Sequence, residues 1–399
     1  MGLSAFGSIR STGARAMAQS ATGAKPPELS IGGEPVVSLV RQQGTDKSKP
    51  QFLEATVLPG HGMNLLQLKA WIPGVGEKDL IASPSVADAI KTLESDDEFG
   101  NHSFMMGGAV LLPYPNRIRG TLSADGKTIQ TTIDGHAVSL PANWHGKNPG
   151  AEVHAMHGLI MSSRFTDVQD HSGPPGSFVT AELHAGNFGG HWFSKTDVSV
   201  HYTLTDKALD MEVTAKNVGT ESEPMSIGFH PYFAFPVGDR QQARLRIPAD
   251  MRAPANNLDD VFPTGQIVPV KGTPYDFTAR RGAALGTLFM DESFTHIQRN
   301  AAGTASVEIS DPAADYGMRI TMLSKEIKAI QVYAPPDKQF VAVEPQFNLA
   351  DPFNAKLWGK ADTGMVTLTP GKSVTWHIRL ELFLPNDEPN GTPMAPAKR

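Results

Sequence analysis

The sequence predicts an all-β protein, a large sandwich or barrel of mostly antiparallel strands. Three observations carry this expectation. Apolar and polar residues alternate with period two along several stretches. Asp-Gly pairs stand at 125–126 and 134–135, the chemistry of tight hairpin turns. Helical signals are confined to one segment, residues 83–100, opened by Ser83-Pro84 and closed by Gly100.

The strands follow in order. Val198, Val200, Tyr202 and Leu204 alternate with polar residues, as a strand buried on one face requires. Residues 205–208 ("TDKA") turn the chain. Leu209, Met211, Val213 and Ala215 repeat the alternation, so 197–217 reads as a hairpin. Met225, Ile227 and Phe229 continue into the next strand. Near the C-terminus Val374, Trp376, Ile378, Leu380, Leu382 and Leu384 form the clearest alternating run.

Composition is even from about residue 31 to 385, with no linker and no repeat of fixed period, so 31–385 is expected to be one sandwich domain. Residues 1–30, rich in Ala, Gly and Ser, read as a disordered segment, and 386–399 as a flexible, Pro-rich tail.

Of 399 residues, 40% are hydrophobic and 19% charged, enough apolar material for a large core. The net charge of -6, with no Lys/Arg run, argues against a nucleic-acid partner. No apolar run reaches the ~20 residues of a membrane span, so no membrane partner is expected. The absence of cysteine excludes disulfides, thiol catalysis and Cys-ligated metals. It suits either redox compartment. Ala16-Met17-Ala18 has signal-cleavage spacing, but Arg10 and Arg15 interrupt the stretch that would be the apolar core of a signal. A cytoplasmic location is therefore expected, with the periplasm or secretion as the alternative.

Four places break the apolar pattern. In "GFHPYFAF" (228–235), His230 lies on the face opposite Met225, Ile227 and Phe229, beside small residues, and Pro231 holds it extended. A core histidine bonded to a carbonyl is the commoner outcome for such a residue. Glu344 ends the apolar run "FVAV"; a carboxylate there is paired with an arginine or doing chemistry. Asn116 and Arg117 follow two prolines in "LLPYPNRIRG" (111–120), where a forked guanidinium suits hydroxyls or carboxylates and a solvated loop is the alternative. His154 and His157 are three apart. That spacing serves a metal on a helix, but in an extended segment it points the two rings apart. His157 fits a lone hydrogen-bonding residue, and no metal is expected.

Together these segments resemble the aldose 1-epimerase (galactose mutarotase) family. The motif order carries the likeness: "PYPNRIRG", "HG", "GFHPYF", "MDESF", "IQVYAPP" and "VEPQF", over residues 105–354. "HGLIMSSRF" departs from the family pattern after its HG, and 76–104 differs as well, while "HPYF" and "PYPNRI" are similar to a divergent branch of the family. The resemblance implies one large antiparallel β-supersandwich that interconverts sugar anomers without a cofactor. It implies Glu344 as general base and His230 as general acid. Asn116, Arg117, His157, Asp291 and Gln331 would bind and orient the sugar. By their local sequence alone, Asp291 is equally a turn residue and Gln331 a buried partner for backbone. The chemistry would place base and acid on opposite sides of a sugar ring. A hexose-6-phosphate mutarotase would need added cations, for which Arg119 and Arg164 are available. A sugar-binding protein without turnover would have no use for an acid–base pair. A glycosidase would need a second carboxylate. Oligomeric state is not readable.

Overall fold

The computed structural model describes residues 29–94, 100, 102–174, 176–257 and 259–386. Apart from Leu29, Ser30 and Asn386, the segments expected to be a disordered start and a flexible tail lie outside these residues.

Two large antiparallel sheets dominate the described residues. The first has nine strands and contains the expected hairpin, Thr196–Leu204 and Ala208–Asn217. Thr205 closes its turn by accepting hydrogen bonds from the amides of Lys207 and Ala208. The last strand, Ser373–Phe383, pairs with Ala208–Asn217 along its length. In all three strands the alternating apolar residues, as far as Leu380 in the last, are buried and their neighbours lie nearer solvent, while Leu382 is half-buried and Leu384 falls beyond the strand's end. Burial of one face alone produces that pattern.

The second sheet has seven strands, in the order Val268–Pro269, Ala249–Ala253, Met290–Ile297, Ala329–Ala334, Phe340–Gln346, Gly228–Ala234 and Gly108–Leu111. Its central strands are buried on both faces, so alternation is lost there. The two sheets meet across a shared core. Phe229 of the second sheet packs on Trp376 of the first, with ring centroids 6.0 Å apart. The Trp376 indole also donates to the carbonyl of Pro345 at 3.0 Å.

Smaller sheets complete the body. Val37–Val40, Gln51–Leu58, Asn64–Ile72 and Gly76–Asp79 form one. Asp134 and Gly135, both at positive φ, close the hairpin of Thr128–Ile133 and His136–Pro141 as the Asp-Gly signal required. A third sheet, Trp144–His145, Val153–Met156 and Arg117–Ile118, stands beside the seven-stranded sheet.

Two expectations are revised. The helix spans Val86–Leu93, with Ser85 rather than Ser83 capping it by accepting from the Asp88 amide; residues 95–99 of the expected helix lie outside the described residues. The run from Met225 to Phe229 is not one strand. Glu223–Met225 pairs with Val366–Leu368, and a new strand in the seven-stranded sheet begins at Gly228. Alternation survives the break because Met225, Ile227 and Phe229 all enter the core. No helix among the described residues is long and apolar enough to cross a membrane.

Candidate functional site

Four adjacent strands of the seven-stranded sheet contribute polar residues to a single face, one from each strand standing out. These are Asp291, Gln331, Glu344 and His230. Gln331 sits directly opposite Glu344 in register. On the reverse face Phe229, Ile330, Val332, Val341 and Val343 fill the core. Strand alternation therefore forces the polar residues outward from the sandwich interior. Small residues flank them: Ala109 pairs with His230, and Gly228 lies under the loop of the first motif. A Cβ on Gly228 would come within 2.7 Å of Pro115 Cγ and 2.9 Å of Gln346 Cβ, so only glycine lets that loop approach.

The loop delivers Asn116 and Arg117, and the turn after Val153–Met156 delivers His157. Asn116 and His157 both adopt left-handed backbone, with φ of 63° and 64°. Non-glycine residues held there are commonly tied to function. Each also supports the other. The His157 amide donates to the Asn116 carbonyl at 2.9 Å, and the Asn116 amide donates to His157 Nδ1 at 3.3 Å. Nδ1 is thereby the acceptor, which leaves the proton on Nε2. Burial, with help from the fields of His230 and Arg117, keeps this ring neutral by lowering its pKa well below the usual histidine range.

A continuous polar network links the rest. Arg117 donates to Asn116 Oδ1 at 3.0 Å and faces Asp291 Oδ2 at 3.5 Å. Gln331 donates to Asp291 and accepts from Asn116 Nδ2 and Ser293 Oγ. Burial raises the Asp291 pKa, opposed by Arg117 and Gln331. The structure thus gathers all seven residues singled out in the sequence: Asn116, Arg117, His157, His230, Asp291, Gln331 and Glu344. Asp291 lies within a strand, not a turn.

His230 Nε2 lies 3.3 Å from Glu344 Oε1, with both side chains almost wholly buried. This differs from the expected placement on opposite sides of a ring. Burial disfavours both charges: it lowers the His230 pKa to about 3 and raises that of Glu344 well above the carboxylate range, where Asp291 adds to the rise. The pair then carries one proton, favoured on Glu344. Glu344 Oε2 and Arg117 Nε are buried without a partner, and His230 Nδ1 has none beyond its own backbone. Buried polar atoms left open in this way are costly unless something completes them, and sugar hydroxyls both donate and accept.

The family model for aldose 1-epimerase matches residues 85–381. The chain belongs to the aldose 1-epimerase family. Among solved structures, this family member is similar to a galactose mutarotase-like protein from Clostridium acetobutylicum, at 20% identity and a TM-score of 0.66 over 88% of this chain and 99% of that one. It is also similar to an aldose epimerase homologue from C. elegans, with 18% identity, a TM-score of 0.64 and coverage of 88% and 98%. A galactose 1-epimerase from Lactobacillus acidophilus matches with 15% identity, a TM-score of 0.59 and coverage of 87% and 98%. At these identities the likeness is one of fold. No curated protein matches at a significant level.

Other polar residues of this epimerase-family chain lie elsewhere. His154 does not converge with His157; its ring packs on Phe262 and its Nδ1 donates to the Glu152 carbonyl at 3.2 Å. Arg119 is held by Glu152 at 2.7 Å and lies over Phe262, while Arg164 is held by Glu34 at the surface. The sequence reading missed Phe104, whose ring packs on His157 and His230 at 5.1 and 5.8 Å. It also missed Ser293, Asn348 and Asp351. Phe104 carries no local signal. The polar residues after Glu344 in "FNLADPFN" did carry one, because their spacing fits neither a strand nor a helix.

Proposed function

We propose that the protein is an isomerase that interconverts the α and β anomers of a free aldose by opening and closing the sugar ring. The observation that carries this reading is the buried contact between Glu344 and His230, a carboxylate and an imidazole sharing one proton.

In the reacting arrangement Glu344 is the carboxylate and His230 the imidazolium. Glu344 takes the proton from the O1 hydroxyl, the C1–O5 bond breaks, and His230 gives its proton to O5. Glu344 ends protonated and His230 neutral. That is the distribution burial favours, since the His230 pKa falls and the Glu344 pKa rises. Ring opening therefore discharges a costly buried ion pair. After rotation about C1–C2, the same protons return and close the ring on its other face. Asp291, Gln331, Asn116 and Arg117 are suited to hold the remaining hydroxyls, and the His157 Nε2–H is suited to donate to an oxygen of the sugar.

The ion pairs of Arg119 and Arg164 with carboxylates support an uncharged sugar over a hexose 6-phosphate. The acid–base pair supports turnover over simple binding. The test is optical rotation of freshly dissolved α-glucose, α-galactose and a hexose 6-phosphate, each with protein and EDTA. A free aldose should equilibrate faster than in buffer. No acceleration across a full panel, or a strong preference for the phosphate, overturns the reading.

A further inference from the structure

We propose that Asp351 is a positioning residue that latches the Arg117 segment into the site, an inference that rests on the epimerase reading above. Arg117–Ile118 is a strand of two residues, too short to define its own geometry. One edge pairs with Val153–Met156, placing Met156 opposite Arg117. Asp351 closes the other edge. Its amide donates to the Arg117 carbonyl at 2.7 Å, and its Oδ1 accepts from the Arg119 amide at 3.0 Å.

Asp351 is itself held on every remaining polar atom. Oδ2 accepts from Asn354 Nδ2 at 2.8 Å, and the carbonyl accepts from the Trp358 indole at 3.1 Å. Asn354 is the N-cap of the short helix Ala355–Trp358, so the latch is anchored in an ordered element. Nearby, Asn348 donates to the Pro115 carbonyl at 3.2 Å and accepts from Ser226 at 2.6 Å, pinning the residue that precedes Asn116. Asp351 is 2% exposed, and its φ is 51°. Aspartate and asparagine tolerate that left-handed backbone better than most residues.

The consequence concerns the guanidinium. Arg117 reaches both Asn116 Oδ1 and Asp291 Oδ2, and a fork of that kind acts only when its backbone is fixed. The segment that begins with Glu344 thus carries the proposed base and then the residue that fixes the arginine opposite it. Among the described residues no hydrogen bond or ion pair joins Asp351 to Glu344 or His230, so its effect runs through Arg117.

The experiment compares the full-length chain with Asp351→Gly and Asp351→Asn. Glycine accepts the positive φ and removes only the carboxylate. Asparagine keeps an acceptor for the Arg119 amide. Asp351→Gly should lower kcat/KM about ten-fold or more, chiefly through KM, with the pH limits of activity unmoved. Its Arg119 amide should exchange hydrogen about ten-fold faster. Asp351→Asn should restore both to within about three-fold of wild type. An unchanged Arg119 exchange rate in Asp351→Gly overturns the latch whatever the activity. Faster exchange with kcat/KM within about two-fold of wild type overturns the positioning role. Should Asp351→Gly fail to fold, Trp358→Phe removes one support of the latch, and unchanged Arg119 exchange there overturns it equally. A wild type inactive on every aldose refutes the epimerase reading, and the exchange measurement still decides the latch.

Discussion

The pH dependence of turnover probes the Glu344–His230 pair with the greatest leverage. Burial takes His230 from its ordinary 6.5 to about 3, and it takes Glu344 upward from the carboxylate range. Between these limits the pair holds one proton, the number that acid–base exchange needs. As pH falls through about 3, His230 takes a second proton and the pair has no base. As pH rises through the elevated Glu344 value, the last proton leaves and the pair has no acid. The limits are macroscopic properties of the pair. At pH 5 a site limited by an ordinary histidine would retain about 3% of its plateau activity, whereas one limited at about 3 would retain about 99%. The assay is polarimetric kcat/KM for the wild type at pH 5 and at the maximum of its pH profile, with the buffer rate subtracted. Near-equal values are expected. A drop to a few per cent at pH 5 would show that the imidazole titrates as if solvated and would refute the buried-pair argument.

Further predictions follow from single side chains. Glu344→Gln and His230→Asn should each lower kcat by roughly 10²–10⁴ while leaving the fold intact, and the double variant should fall far short of additive, as measured by steady-state kinetics and circular dichroism. Glu223 is buried against Thr196, and its pKa is raised from 4.5 to about 7 by desolvation. The folded state therefore keeps a proton that the unfolded chain releases, and stability present below pH 4.5 is lost as pH rises through about 7. Glu223→Gln should raise stability by about 2–3 kcal/mol at pH 8 and leave it unchanged at pH 4, read by chemical denaturation. Gly228→Ala should cost about 1–3 kcal/mol and also lower kcat, because the new Cβ pushes on both Pro115 and Gln346; unchanged kinetics would show that the loop's approach is not needed.

The half-buried strands were the most readable part of the chain. Val198 to Leu204, Leu209 to Ala215 and Val374 to Leu380 each have one face in the core and the other toward solvent, and period two records that difference. The strands that bear the site left no such trace. Phe340–Gln346 and Gly228–Ala234 are buried on both faces, so Glu344 and His230 were visible only as polar intrusions in apolar runs. Their partnership was visible only through motif order, because the two are brought together by strand pairing across more than a hundred residues. Asp351 and Phe104 likewise reach the site through contacts far apart in sequence, Asp351 with Arg117 and Phe104 with His230. Phe104 has no local pattern to announce it, whereas Asp351 sits in "FNLADPFN", whose polar spacing fits neither a strand nor a helix.

The central claim is that the Glu344–His230 pair moves the two protons of ring opening. Magnetization exchange between the α and β anomeric protons of an equilibrated aldose tests it most directly, since it reads interconversion itself without any coupled reaction. Wild-type protein at neutral pH with EDTA should produce exchange between the two signals, and Glu344→Gln and His230→Asn should each abolish it while remaining folded. Exchange that persists undiminished in either folded variant would contradict the claim.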